Sequence, residues 1–134
     1  MTKKLVIVVA AALFDREGRI LLARRPEGKA MAGLWEFPGG KIEKDETPEA
    51  ALCRELQEEL QITVTPEKLK PLNFASFDYP DFHLFMPLYM VSDWVGDPAP
   101  VEGQALDWVW PSDLAQYPAP PADIPLFEDL AARF

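Results

Sequence analysis

Glu55, Glu58 and Glu59 stand three and four residues apart in the stretch PEAALCRELQEEL. On a helix turning about 100° per residue they form a stripe roughly 100° wide. Like charges at these spacings repel, by about 0.2–0.5 kcal/mol per pair in an isolated helix. The chain is acidic already, with 22 Asp and Glu against 13 Lys and Arg and a formal charge of −9. Hard oxygen donors gathered in this way suit Mg2+ or Mn2+, and a bound cation would offset the repulsion. The bland alternative is a solvated acidic face on which Arg54 and Glu58 form an i,i+4 pair. Spacing alone leaves the two open. The stripe has few basic partners, and Gly39-Gly40 just upstream lets backbone approach it closely; both favour metal.

A stripe needs a helix to carry it. Thr47 followed by Pro48 reads as a hydroxyl N-cap and a first-turn proline, and the helix runs to about Gln61. Leu52, Leu56 and Leu60 share the face that packs on a sheet, with Cys53 beside them. Upstream, MTKKLVIVVAAALF and ILLARR read as two strands of a hairpin, joined by a turn at Asp15 to Gly18. Val6, Val8 and Val9 suit a strand buried on both faces. LWEF is a short strand stopped by PGG. LNFASFDY and HLFMPLYMVSDW are two strands turned at Pro80-Asp81, and Pro87 predicts an edge or a bulge in the second. ALDWVW is a further strand, PSDLAQY a brief helical turn, and the chain ends in an amphipathic helix with Leu126, Phe127 and Leu130 inward. Strands interleaved with two helices predict an α/β or α+β layered domain.

Composition sets the bounds. The 134 residues fit one domain, 1–134, with a real core, and 49% are apolar. No basic block marks a surface for a nucleic-acid polymer. The N-terminal run imitates a signal peptide, but it is short and a turn follows at once. No segment reaches the ~20 apolar residues of a membrane helix. Cys53 is the only cysteine, so no internal disulfide forms, which fits a reducing cytoplasm. Cys53 reads as a buried thiol rather than a nucleophile. His83 reads as a packed or hydrogen-bonded side chain rather than a ligand. Trp35 and Tyr79 could border a base, since aromatic faces stack on bases.

The stretch from Gly40 to Ile62 resembles the Nudix box, G-x5-E-x7-R-E-U-x-E-E-x-G-U with U a bulky aliphatic residue. Gly40, Glu46, Arg54, Glu55, Leu56, Glu58, Glu59 and Ile62 occupy its positions. GLWEFPGGKIE, YPDFH, VEGQ and PADIP follow the order and spacing of the MutT-type branch, so the resemblance covers nearly the whole chain. It implies an α/β/α sandwich around a mixed β-sheet. It implies hydrolysis of a nucleoside triphosphate to the monophosphate and pyrophosphate. An oxidised purine such as 8-oxo-dGTP is the expected substrate, with sanitation of the nucleotide pool, mutation avoidance and DNA repair as the role. CTP, a modified dCTP or a nucleoside diphosphate sugar is the alternative. A non-catalytic ligand-binding relative would be expected to have lost the glutamates, and here all are present. Monomer and homodimer both stay open.

By motif position, Glu55, Glu58 and Glu59 resemble the metal ligands, with the Gly39 carbonyl as a further one. Glu46 supports that site, and Arg54 orients the carboxylates. Glu102 in VEGQ corresponds to a glutamate that contacts metal or activates the attacking water; taken alone it is a turn residue. Arg25 and Lys41 match basic positions suited to phosphate. The Phe37 backbone and the loop from Tyr79 to Phe82 border the base. Two positions depart from the pattern. Gln61 replaces the late glycine, where a helix end often needs a positive φ. Asp123 replaces an asparagine that reads the base edge, and it can equally be the N-cap of the last helix.

Overall fold

Residues 3–134 are described by a computed structural model. The first strand, β1 (Lys4–Leu13), is the hub. It takes β4 (Gly39–Lys41) antiparallel on one side and β6 (Phe82–Val91) parallel on the other. The next strand, β5 (Lys70–Asp78), pairs antiparallel with β6 and completes the order β4-β1-β6-β5. A second, antiparallel sheet has the order β3-β2-β7, from β2 (Ile20–Arg24), β3 (Trp35–Glu36) and β7 (Ala105–Val109). The N-terminal hairpin is therefore corrected. Both edges of β1 are occupied by distant partners, so β2 leaves for the other sheet after a single bridge between Phe14 and Ile20. PGG ends β3 as expected, and its glycines then begin β4 in the other sheet.

The helix α1 (Pro48–Leu60) begins as its sequence says, with Thr47 Oγ1 accepting from the Ala50 N–H at 3.1 Å. It covers one face of the sheets and α2 (Ile124–Arg133) covers the other. Strand alternation divides the core between them. Val9, Ala11 and Leu13 pack with Leu52, Leu56 and Leu60 of α1. Ala10, Ala12 and Phe14 pack with Leu126, Phe127 and Leu130 of α2. The result is an α/β/α sandwich around mixed strands. Burial on both faces holds for Val9 to Leu13, but Val6 and Val8 are only half buried, because a cavity opens beside them.

Pro87 lies on an interior strand, not an edge. Its missing N–H is accommodated by a gap in the β1–β6 ladder, where no pairing occurs between Ile7–Phe85 and Ala10–Leu88. A bulge between Pro71 and Asn73 adjusts the other side. Among the described residues, no helix is long and apolar enough to cross a membrane.

Gln61 ends α1 in the left-handed region, at φ 59° and ψ 32°, its N–H donating to the Gln57 carbonyl at 3.0 Å. The helix-end geometry survives the loss of glycine, at the cost of holding a side chain where Cβ crowds the backbone. Gln61→Gly is expected to stabilise the fold by about 0.5–1 kcal/mol, raising the thermal midpoint by a few degrees. A lower midpoint in a thermal melt would show that the glutamine side chain contributes more than its backbone strain removes.

Candidate active site

The leucine face of α1 fixes where its acidic stripe points. Glu59 is next to that face and is 9% exposed, Glu55 is half buried, and Glu58 projects into solvent. Arg54 holds the outer part of the stripe. Its Nε and Nη2 donate to Glu46 at 2.7 and 2.9 Å, and its Nη1 reaches Glu55 at 3.0 Å and Glu58 at 3.2 Å. Nη2 also donates to the Lys41 carbonyl at 3.2 Å, tying helix to strand. These hydrogen bonds hold the Glu46 carboxyl down at about 2 and raise Arg54 further. The expectation that Arg54 orients carboxylates matches this arrangement.

The Gly-Gly pair lies directly under the stripe. A Cβ on Gly40 would land on the Glu55 carboxylate, and one on Gly39 would strike the Val9 carbonyl. The absence of side chains there lets β4 approach α1, and the Gly39 N–H donates to Glu59 Oε2 at 3.2 Å. Glu102 is brought in from the loop before β7. Buried Gln104 accepts from the Glu102 N–H at 2.9 Å and donates to the Glu59 carbonyl at 3.2 Å, clamping that loop onto the end of α1. Glu59 and Glu102 thus line one cleft, shared with Gly39 and three cations, Arg24, Arg25 and Lys29.

Burial pushes Glu59 up to about 8, reinforced by Glu102, Glu36 and Glu55 and opposed by the Gly39 N–H. Burial also raises Glu55, with Arg54 opposing. Acids this crowded cannot all ionise without a counter-charge. Among the described residues no three acidic, histidine or cysteine side chains converge tightly enough to hold an ion as they stand. The Arg54 hydrogen bonds keep Glu55 and Glu58 turned aside. The donor set nevertheless fits a hard divalent cation: carboxylates, a buried acid lacking charge compensation, and a side-chain-free Gly-Gly backbone.

A second cavity opens on the other side of β4. Val6, Val8, Leu84 and Met86 form its floor, and Tyr79 stacks on Phe82 at its mouth, centroids 5.1 Å apart and planes 26° apart. Asp123 is its polar end and is 5% exposed. The helix-cap reading of Asp123 is corrected: its backbone is helical and its side chain makes no capping hydrogen bond. Burial lifts its carboxyl to about 7, with the charge of Glu36 adding, and the Phe37 N–H and Arg25 opposing. Phe37 puts its ring into the core, edge-on to Phe127 at 5.2 Å, and borders a third pocket, here called the passage, which shares Arg25, Glu36 and Gly39 with the cleft and Arg25, Glu36, Lys41 and Asp123 with the cavity.

The expected residues therefore assemble, with some redistribution. Lys41 stands at the cavity and passage, not in the acidic cleft. Trp35 is corrected: it packs edge-on against Tyr117 at 5.3 Å and lines neither space. His83 is hydrogen-bonded to Ser76 at 2.7 Å and sits by Asp78, consistent with a non-ligand role. The Cys53 thiol is pushed up by burial, consistent with an inert one. Sequence reasoning missed Glu36, Arg24, Lys29 and Gln104. Glu36 had a signal, an acid set between aromatics in a strand; the others had none beyond their neighbours.

Comparison with known proteins agrees with this geometry. The NUDIX domain matches residues 9–129. A CTP pyrophosphohydrolase of Escherichia coli K12 is 44% identical, over 95% of this chain and 93% of that protein. An 8-oxo-dGTP diphosphatase of the same organism is 38% identical, over 96% and 97%. A solved MutT chain, from work on Aliivibrio salmonicida and Vibrio cholerae, superposes with a TM-score of 0.84 at 37% identity, covering 98% of this chain and 100% of that one. An acidic helix stripe set against a Gly-Gly strand, in a chain matched over nearly its full length, places this chain in the Nudix hydrolase family, in its MutT-type branch.

Proposed function

We propose that this chain hydrolyses a nucleoside triphosphate to the monophosphate and pyrophosphate, with oxidised purine triphosphates such as 8-oxo-dGTP as its substrate class and sanitation of the nucleotide pool as its role. The observation that carries this reading is the adjacency of two unlike spaces. An apolar cavity with Tyr79, Phe82 and the buried acid Asp123 in its walls adjoins an acidic cleft with three cations, and Arg25 and Glu36 line both. A base fits the first and a polyphosphate the second.

We assign Glu55, Glu58, Glu59, Glu102 and the Gly39 carbonyl as ligands of Mg2+ or Mn2+, with Glu46 and Arg54 holding them. When bound, the cation neutralises polyphosphate charge and lowers the pKa of a water bound to it. The protein residues do the rest. Glu59 must release its proton to bind metal. Glu102, on its clamped loop, is placed to accept the proton of the attacking water. Arg24, Arg25 and Lys29 hold the phosphates by charge-assisted hydrogen bonds.

Asp123 decides the base. A protonated carboxyl donates through one oxygen and accepts through the other. It can then give to O6 of 8-oxoguanine and take from N7–H, the proton guanine lacks. The ionised form only accepts, which suits the exocyclic amine of cytosine. This carboxylate, together with a CTP-hydrolysing relative, supports CTP or a modified dCTP as the second reading.

Three outcomes follow. Glu59 has a folded-state pKa near 8, above its ordinary 4.5, so its stabilising contribution is complete below pH 4.5 and is lost as pH rises through about 8. Asp123 acts in the same sense through about 7. The metal-free protein should therefore melt at falling temperatures between pH 5 and 8, Glu59→Gln should flatten much of that fall, and Mg2+ should reverse it. Equal Mg2+ shifts at about pH 5.5 and 8, on a flat metal-free baseline, would contradict the buried-acid account.

Glu58→Gln should cost on the order of 10²–10⁴ in kcat with the fold intact, since a metal interaction is worth several kcal/mol in the transition state. It should stabilise the metal-free protein slightly by relieving repulsion. Turnover within a few-fold of wild type would remove Glu58 from the ligand set. Wild-type products identified as a nucleoside diphosphate and free phosphate would place the cut at the wrong bond.

Asp123→Ala should lower kcat/KM for the true substrate about 10- to 100-fold and spare poor substrates. In wild type the ratio of kcat/KM for 8-oxo-dGTP over CTP should fall as pH rises through about 7. Asp123→Asn should abolish that pH dependence. An equal drop for every nucleotide would deny Asp123 any part in base selection.

A further inference from the structure

Arg25 and Glu36 line the cleft, the cavity and the passage between them. The Arg25 backbone is pinned on both sides: its N–H donates to the Leu34 carbonyl at 3.0 Å, and its carbonyl accepts from the Gly33 N–H at 2.9 Å. Only its side chain is free to be aimed, and Glu36 Oε2 lies 3.0 Å from Arg25 Nε. Yet that buried Nε makes no aligned hydrogen bond. The guanidinium donates from Nη1 to the Ala30 carbonyl at a long 3.3 Å. An arginine with five donors, so placed, is held by charge while most of its hydrogen-bonding capacity remains unspent.

We infer that Glu36 is a positioning residue, whose carboxylate holds the Arg25 guanidinium across the neck between base cavity and polyphosphate cleft so that Arg25 meets the phosphate nearest the nucleoside. This rests on the pyrophosphohydrolase reading, because a nucleotide spanning both spaces must pass its sugar and first phosphate through that neck. Charge placement agrees. Glu36 has Arg25 and Lys29 as the cations that act on it, and its own charge bears on Asp123 at one end and Glu59 at the other. The neck thus carries one anion and one directed cation, and the cation has the free donors for a two-point grip on phosphate.

The experiment is a double-mutant cycle on Glu36→Gln and Arg25→Ala, read in kcat, KM and calorimetric binding of CMP, 8-oxo-dGMP and inorganic pyrophosphate. Glu36→Gln should raise KM and weaken binding of the preferred monophosphate about tenfold, with kcat changed far less. Pyrophosphate binding should stay within about twofold. In the Arg25→Ala background the further effect of Glu36→Gln should vanish, because its only route is gone. Glu36→Asp, which keeps the charge, should recover part of the loss. Undiminished additivity would overturn the inference and make Glu36 a direct substrate contact. A lower melting temperature with unchanged nucleotide binding would overturn it in favour of a structural ion pair. A wild-type protein that binds monophosphates but cleaves no triphosphate would defeat the functional reading, while the binding cycle would still decide the role of Glu36.

Discussion

Carboxylates cannot be gathered on one helix face without a counter-charge, and Arg54 supplies the one built into this chain. It is the residue through which Glu46, Glu55, Glu58 and the Lys41 carbonyl are linked. Its placement depends on the helix register, which the leucine face fixes against β1. It depends equally on the close approach of β4, which Gly40 permits because a Cβ there would occupy the space of the Glu55 carboxylate. Core packing, backbone conformation and charge placement are therefore one constraint here. Arg54 serves the outer stripe only. Glu59, on the inner side, has a single backbone N–H, and burial favours its protonated form.

The same logic organises the other end of the site. Asp123 is buried against apolar walls with limited hydrogen-bonding help, and it too is held near the protonated state. Between the two acids stands Glu36, which raises both. Two buried carboxyls with a half-buried third between them would be a liability in an interior whose only task was stability. Glu36 has the Arg25 guanidinium beside it, whereas Glu59 and Asp123 are left without a paired cation. A ligand that bound only the folded chain at those two acids would return stability to it.

Legibility followed locality. The start and the face of α1 could be read because their signals lie within a few residues of what they control, Thr47-Pro48 at the start and leucines every fourth residue; the left-handed end at Gln61 had no such signal, since the expected glycine is missing. The strands could be found but not partnered. β1 pairs with β6, more than seventy residues away in sequence, on one edge and with β4 on the other, which excludes the hairpin with β2, and β1 and β5 together put Pro87 inside a sheet. Asp123 looked like a cap because caps precede helices; its burial against distant Phe37 and Tyr79 has no local signature. Glu36 escaped for the opposite reason. Its neighbours Trp35 and Phe37 made the strand plain, but the sequence alone offered Glu36 no partner, and the Arg25 beside it comes from another strand's end.

The two glycines show why the acidic motif and the fold are not separable layers. Gly39 is required by the Val9 backbone, a contact within the sheet, and Gly40 by a carboxylate, a contact with the site. One dipeptide serves the turn from one sheet to the other and the floor of the cleft at once. Any residue with a side chain at Gly40 would push Glu55 outward and deprive Arg54 of one of its partners. The Lys41 carbonyl would move with it, since Arg54 binds both. A substitution at Gly40 in β4 would thus be felt on a helix face through charge, without any change in the apolar core that defines the fold.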